Sequence, residues 1–177
     1  MAEKNERLLI VQVAGLGWEL LHSRAATDFA GLAFQPMQGA FPALTCPVQA
    51  GFRCAMNPAG HGVVANGFFD RRLAKTFFWE QSAALLPEGR IWDACTAADR
   101  GTAMLFWQQS LGESVDAIVS PAPIHKHHGG MIPSCYAKPA GLYDQLAQAV
   151  GREFRLADYW GPGASVQSSA WIAEATA

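Results

Sequence analysis

The hydrophobic pattern opens with Leu8-Leu9-Ile10-Val11-Gln12-Val13-Ala14, an almost unbroken run rich in β-branched residues that stops at Gly15. Such a run predicts a strand buried on both faces of a parallel sheet. Trp18, Leu21, Ala25 and Phe29 follow at near-helical spacing and predict a helix packed on that sheet. Phe34 to Met37 is apolar but holds Pro36, so it predicts at best an irregular strand. Phe41-Pro42 closes an extended piece, since a residue before proline is pushed out of the helical region. A helix can then begin at Thr45 and run through Met56, before Asn57-Pro58-Ala59-Gly60 breaks it.

Val63-Val64 and Phe68-Phe69 flank Asn66-Gly67, a dipeptide suited to a tight turn with positive φ. Thr76 to Trp79 predicts a short strand. Ile91 to Ala98 predicts a helix with Ile91, Cys95 and Ala98 on one face and Gly101 just past its end. Thr102–Trp107 and Ala117–Val119 read as strands, the second ended by Ser120-Pro121. Pro121 to Pro139 has no periodicity and predicts a long loop. Leu142, Leu146 and Val150 form a helical stripe stopped by Gly151, and Gly161-Pro162-Gly163 reads as a hinge-like loop. Ser168, Trp171, Ile172 and Ala175 predict a last helix without a stop signal. Strands alternating with helices predict an α/β fold, a mostly parallel sheet with helices on both faces. Ligands in such sheets sit beyond the carboxyl ends of strands, and Ala14, Thr45 and Asn66 all fall where that crevice forms.

Composition narrows this picture without changing it. The chain has 177 residues, half of them apolar and 16% charged, so one domain spanning 1–177 with a sizeable core is expected. A net charge of -2 gives no basic footprint for a nucleic acid polymer. Cys46, Cys54, Cys95 and Cys135 form no C-x-x-C pair, which argues against a structural zinc of the four-cysteine type and for reduced thiols in a cytoplasmic protein. Leu8 to Leu21, preceded by Lys4 and Arg7, resembles a signal peptide. Gln12, Trp18 and Glu19 interrupt it, however, and it is too short and polar to span a bilayer. No membrane association is expected.

Four candidates remain. Threonine at a helix start is ordinarily a cap, its oxygen taking one orphan N–H. Equally, a hydroxyl at a helix N-terminus lies where the dipole and free amides favour an anion such as phosphate. Residue types alone leave both roles open for Thr45, and Asn66 likewise is a turn former or a ligand to an oxygen. Cys46 is a poor candidate nucleophile, because no oriented base is identifiable nearby. His125, His127 and His128 form a candidate metal-binding loop, set against the commoner solvated histidines.

FPALTCP (residues 41–47), GHGVVANGFFD (60–70) and IWDACTAADRGTAMLFWQQS (91–110) together resemble the nucleotide pyrophosphatase/phosphodiesterase branch of the alkaline phosphatase superfamily. The blocks occur in the family's order and the likeness covers most of residues 8 to 110. The resemblance implies an alkaline-phosphatase-like fold and a metal-dependent hydrolase with two divalent ions, usually zinc, acting on a small-molecule phosphoester or nucleotide. It implies Thr45 as nucleophile and ligand to one metal, Asn66 as holder of a phosphoryl oxygen, and the Cys46 amide beside it. At the family's first metal-ligand aspartate this chain has Ala14, followed by Gly15. The family's remaining aspartate and histidine ligands lie mostly in its C-terminal half, so the chain reads as the N-terminal, incomplete part of a larger catalytic domain. The rival expectation is a non-catalytic member that keeps the fold and at most an anion- or nucleotide-binding pocket. A third is a metal-binding module built on His125 to His128.

Overall fold

The computed structural model describes residues 7–122, 124, 125, 128, 130–132 and 135–177, in two compact units divided after Gly39. The first unit holds helix α1 (Trp18–Ser23) and strands β1 (Asp28–Phe29) and β2 (Leu32–Ala33). β1 and β2 pair antiparallel, Phe29 opposite Leu32. Phe29 therefore lies in a hairpin, and the expected helix through it ends at Ser23. Leu8 to Ala14, expected as a buried parallel strand, pairs in no ladder among the described residues, and its side chains are exposed. β-branched composition selects an extended backbone, but only a neighbouring strand supplies the hydrogen bonds that make a sheet.

The second unit begins with α2 (Thr45–Cys54) and α3 (Pro58–His61), the latter capped by Asn57, whose Oδ1 accepts the Gly60 N–H at 3.0 Å. β3 (Gly67–Asp70) and β4 (Lys75–Phe78) form an antiparallel hairpin. Its turn lies at residues 71–74, where Asp70 Oδ1 accepts the N–H groups of Arg72 and Leu73. The expected turn at Asn66-Gly67 is thus displaced. Gly67 is required for close approach instead: a Cβ there would sit 2.6 Å from the Phe78 ring.

α4 (Asp93–Ala97) is shorter than its pattern and leads to β5 (Ala103–Leu105) and β6 (Ala117–Pro121). Within the stretch expected to be a loop lie β7 (Ile124–His125), β8 (Met131–Ile132) and β9 (Cys135–Lys138). β5 and β6 run parallel, Met104 opposite Ile118, while β9 runs antiparallel to β6. β7 and β8 make a separate hairpin. The fold is mixed α/β, and β5–β6 is the one parallel ladder among the described strands. The expectation of a mostly parallel sheet took the Pro121–Pro139 segment for a loop, whereas its last strand closes the sheet in the antiparallel sense.

α5 (Leu142–Val150) and α6 (Val166–Thr176) pack on that sheet. Val119 faces them through Phe106, Phe154, Leu156 and Trp171, with the Phe106 and Phe154 rings 4.6 Å apart. The adjacent Ile118 packs with Met104 and Val115 against Trp92, Trp107 and Tyr136. Because successive strand residues point to opposite faces, β6 is buried on both, and its Ile118 and Val119 are wholly excluded from solvent.

A polar network joins α2 to the turn after β5. Arg53 is fully buried; its Nη1 donates to the carbonyls of Gln108 (2.8 Å) and Gln109 (3.1 Å), and Nη2 to that of Gln109 (3.1 Å). Gln49 Oε1 accepts the Gln108 N–H at 2.8 Å, and Gln81 Oε1 the Gln109 N–H at 3.1 Å. Glu113 Oε2 lies 3.9 Å from Arg53 and accepts from Arg90 Nε at 2.9 Å. Burial, offset by Glu113, pulls the Arg53 pKa down to about 10, so the guanidinium stays charged at neutral pH. Removing it strands two carbonyls away from water and leaves Glu113 with Arg90 alone. Arg53→Met is expected to cost about 3–5 kcal/mol in urea unfolding. Arg152→Met, which breaks the exposed pair with Glu174, should leave the urea midpoint close to that of wild type, because solvent screens such a pair.

Candidate functional site

α2 starts without help from its own N-cap. Leu44 occupies that position in extended conformation and has no side-chain acceptor, so the first amides of the helix need a partner from elsewhere. Asn66 supplies it, its Oδ1 accepting the Cys46 N–H at 3.0 Å. The chain returns for this contact along the Gly62–Ala65 loop, which is held by His61. That imidazole is 3% exposed, and its Nδ1 accepts the Val63 N–H at 3.1 Å. A side chain at Gly51 of α2 would crowd the end of its own helix, since a Cβ there would come within 3.0 Å of the Met56 carbonyl oxygen.

Thr45 is the first helical residue and is half-buried. Among the described residues its hydroxyl has no hydrogen-bond partner. The structure therefore brings Thr45, Cys46 and Asn66 together, with the Cys46 amide engaged by Asn66 Oδ1. That leaves the Asn66 Nδ2 group as the carboxamide's donor. The Cys46 thiol is 2% exposed, and burial pushes its pKa up to about 11 against the opposing pull of Arg53. It is a neutral thiol at physiological pH, not a nucleophile.

Beside the helix N-terminus lies a cleft of about 180 Å3, lined by Cys46, Asn66, Phe68, Glu80, Leu85 and Gln109 among others. Glu80 Oε1 accepts the N–H groups of Gln81 and Ser82. Gln109 was not singled out from sequence. Neither were Gln49 and Arg53, which hold its turn. Cys46, Gln49, Ala50, Arg53 and Cys54 are all buried along α2, at the i, i+3, i+4, i+7, i+8 spacing of one helical face. Two of the five are polar, and an apolar pattern passes over them.

Ala14 belongs to the first unit, where it enters a turn with Gly15 at φ 76. Of the histidine cluster, His127 lies outside the described residues, His125 is described only as backbone of β7, and His128 is exposed. Among the described residues no group of three or more His, Cys, Asp or Glu is arranged to hold a metal ion. The donors at the α2 N-terminus are a hydroxyl, an amide and one carboxylate already accepting two N–H groups. They do not fit the two-cation centre that the family resemblance implies. No helix among the described residues is long and apolar enough to cross a membrane.

A sequence model of the family described as type I phosphodiesterase / nucleotide pyrophosphatase matches residues 8–177. Neither a curated protein nor a solved structure matches the chain.

Two outcomes follow from this geometry. Asn66→Ala removes the acceptor for an α2 amide and should destabilise the protein by about 1 kcal/mol in chemical unfolding. Thr45→Ala removes a hydroxyl that caps nothing, so it should stay within about 0.5 kcal/mol of wild type. His61 adds a pH dependence. Burial lowers its pKa below the ordinary 6.5, so below that pH the unfolded chain binds a proton that the folded chain still refuses. Stability held above pH 6.5 should therefore fall as the pH drops toward the lowered folded value. Urea midpoints from pH 8 to 5 should show this slope in wild type and a shallower one in His61→Gln.

Proposed function

The chain belongs to the type I phosphodiesterase / nucleotide pyrophosphatase family, and from that premise we propose that the N-terminal end of α2 is the phosphoryl-binding part of a phosphoester hydrolase. Its substrate is a small-molecule phosphoester or nucleotide. The observation that carries this reading is the contact between Asn66 Oδ1 and the Cys46 N–H. It fixes the carboxamide at the helix start, with Nδ2 left to donate to a phosphoryl oxygen. The helix dipole adds favourable potential for an anion at the same place.

Thr45 is the nucleophile in this reading. Its hydroxyl has no hydrogen-bond partner among the described residues, and it sits one residue before the capped amide. Its Oγ forms a bond to phosphorus while the bond to the leaving alcohol breaks, and the hydroxyl proton ends on that alcohol. Water then displaces Thr45 from the phosphoryl-enzyme and returns the proton.

A second reading has its own support. Position 14 is alanine where the resemblance places a metal-ligand aspartate, and the described donors do not make a two-cation centre. In that reading the chain is a non-catalytic member that keeps the anion pocket. One set of measurements separates the two. Inorganic phosphate titrated into the full chain should bind, and Asn66→Ala should weaken it ~10-fold, the size of one hydrogen bond to a charged group. Zinc-supplemented hydrolysis of an aryl phosphodiester that vanishes in Thr45→Ala supports the hydrolase. Phosphate binding without hydrolysis supports the non-catalytic member. Binding indifferent to Asn66 overturns both.

A further inference from the structure

The cleft beside α2 has more to offer an anion than Asn66 and the helix start, and it needs more. Glu80 lines it, and that carboxylate gives one oxygen to the N–H groups of Gln81 and Ser82. Its negative charge opposes an anion, whereas the α2 dipole contributes only about half an elementary charge in favour. A group with several anionic oxygens therefore calls for donors on more than one wall.

Gln109 supplies the second wall. It lines the cleft and is only 4% exposed. Its Oε1 is sealed from solvent, so the end of the carboxamide that opens on the cleft is Nε2. That nitrogen, which can only donate, has no hydrogen-bond partner among the described residues. The rest of the residue is pinned. Its N–H donates to Gln81 Oε1, its carbonyl accepts from both terminal nitrogens of Arg53, and its φ is 54. Left-handed backbone at a non-glycine residue persists where surrounding bonds over-determine it, and such positions cluster at ligand sites. The side chain is thus held at the cleft before any ligand arrives, with little freedom left to lose on binding.

We propose that Gln109 is a further phosphoryl-binding residue, its Nε2 donating to one oxygen of the group whose other oxygens meet Asn66 Nδ2 and the start of α2. This rests on the reading of Asn66 as holder of the phosphoryl group. The two carboxamides reach the cleft from different segments, Asn66 from the loop after α3 and Gln109 from the turn after β5. A tetrahedral group points its oxygens in divergent directions, so it can accept from both at once. Bonds of this kind to a charged oxygen are roughly twice as strong as neutral ones, and together they offset the repulsion from Glu80.

The test is a titration of the isotope-labelled full chain with inorganic phosphate, followed by NMR through the side-chain N–H resonances of Asn66 and Gln109. In wild type both pairs should move downfield with one shared midpoint, as donors to the same ion. Gln109→Met, similar in volume without the donor, should weaken phosphate at least ~10-fold, the size of one hydrogen bond to a charged group. The Asn66 pair should still move in that variant at saturation. A Gln109 pair that stays still while the Asn66 pair moves overturns the role of Gln109 and leaves the phosphoryl site standing. That result is read in wild type, whether or not the variant folds. Folded Gln109→Met that binds phosphate as tightly as wild type also overturns the assignment. If the Asn66 pair stays still, the phosphoryl site falls and this inference with it.

Discussion

A charged guanidinium sealed inside the second unit is the constraint on which the rest of its site depends. Arg53 has no solvent to return to, so its charge must be met by fixed groups, and a buried charge without them is expensive. Glu113 provides one carboxylate for two guanidiniums, Arg53 and Arg90. Backbone carbonyls make up the difference, and those of Gln108 and Gln109 point at Arg53 because the chain turns sharply after β5. The turn begins at Phe106, at φ 59, and includes Gln109 at φ 54. Neither conformation is favourable for a side chain larger than glycine. The hydrogen bonds to Arg53, Gln49 and Gln81 offset that local cost, and without them the turn has no reason to keep its shape.

This places both walls of the cleft under one helix. α2 offers its N-terminus, with Thr45 and Cys46, to one side. From its own middle and C-terminal turn, Gln49 and Arg53 reach across to fix the segment that carries Gln109. A shift of α2 therefore moves the helix start and the Gln109 segment together. Rigid placement of this kind is what a site needs if it is to discriminate between ligands by one hydrogen bond.

The parts of this arrangement that were legible in the sequence are the ones written in local pattern. The helix beginning at Thr45, the strand at Ala117 and the helix at Leu142 each announce themselves by periodicity and by proline or glycine at their ends. The family likeness placed Thr45 and Asn66 in one region, and they do lie at one helix start. What was not legible is non-local. Leu8 to Ala14 has strand composition, but composition names no partner. Cys135 to Lys138 sits in a segment of Pro, Gly, His and Ser and becomes a strand because β6 offers it an edge. The network around Arg53 joins positions 55 and more residues apart, and a charge in mid-helix reads from sequence as a solvated one. Gln109 combines both difficulties, since an amide in a turn looks ordinary until its burial is known.

Asn66 shows how one side chain ties fold to chemistry. Its carboxamide has an acceptor end and a donor end, fixed in opposite directions about one bond. The oxygen is spent on the protein, as the cap that Leu44 cannot provide. That same bond orients the nitrogen, so the donor needs no search when an anion arrives. The arrangement also couples the two roles. An anion drawn to the helix start competes with Asn66 Oδ1 for the Cys46 N–H while attracting the Asn66 amine. A ligand oxygen that satisfies both leaves the helix capped throughout, whereas one that displaces Asn66 without bonding the amide nitrogen uncaps it. Geometry at this residue therefore favours groups with several oxygens on one centre, which can meet the helix amide and the side-chain amine at once. A tetrahedral phosphoryl group has that form, and a planar carboxylate with two oxygens has fewer ways to achieve it.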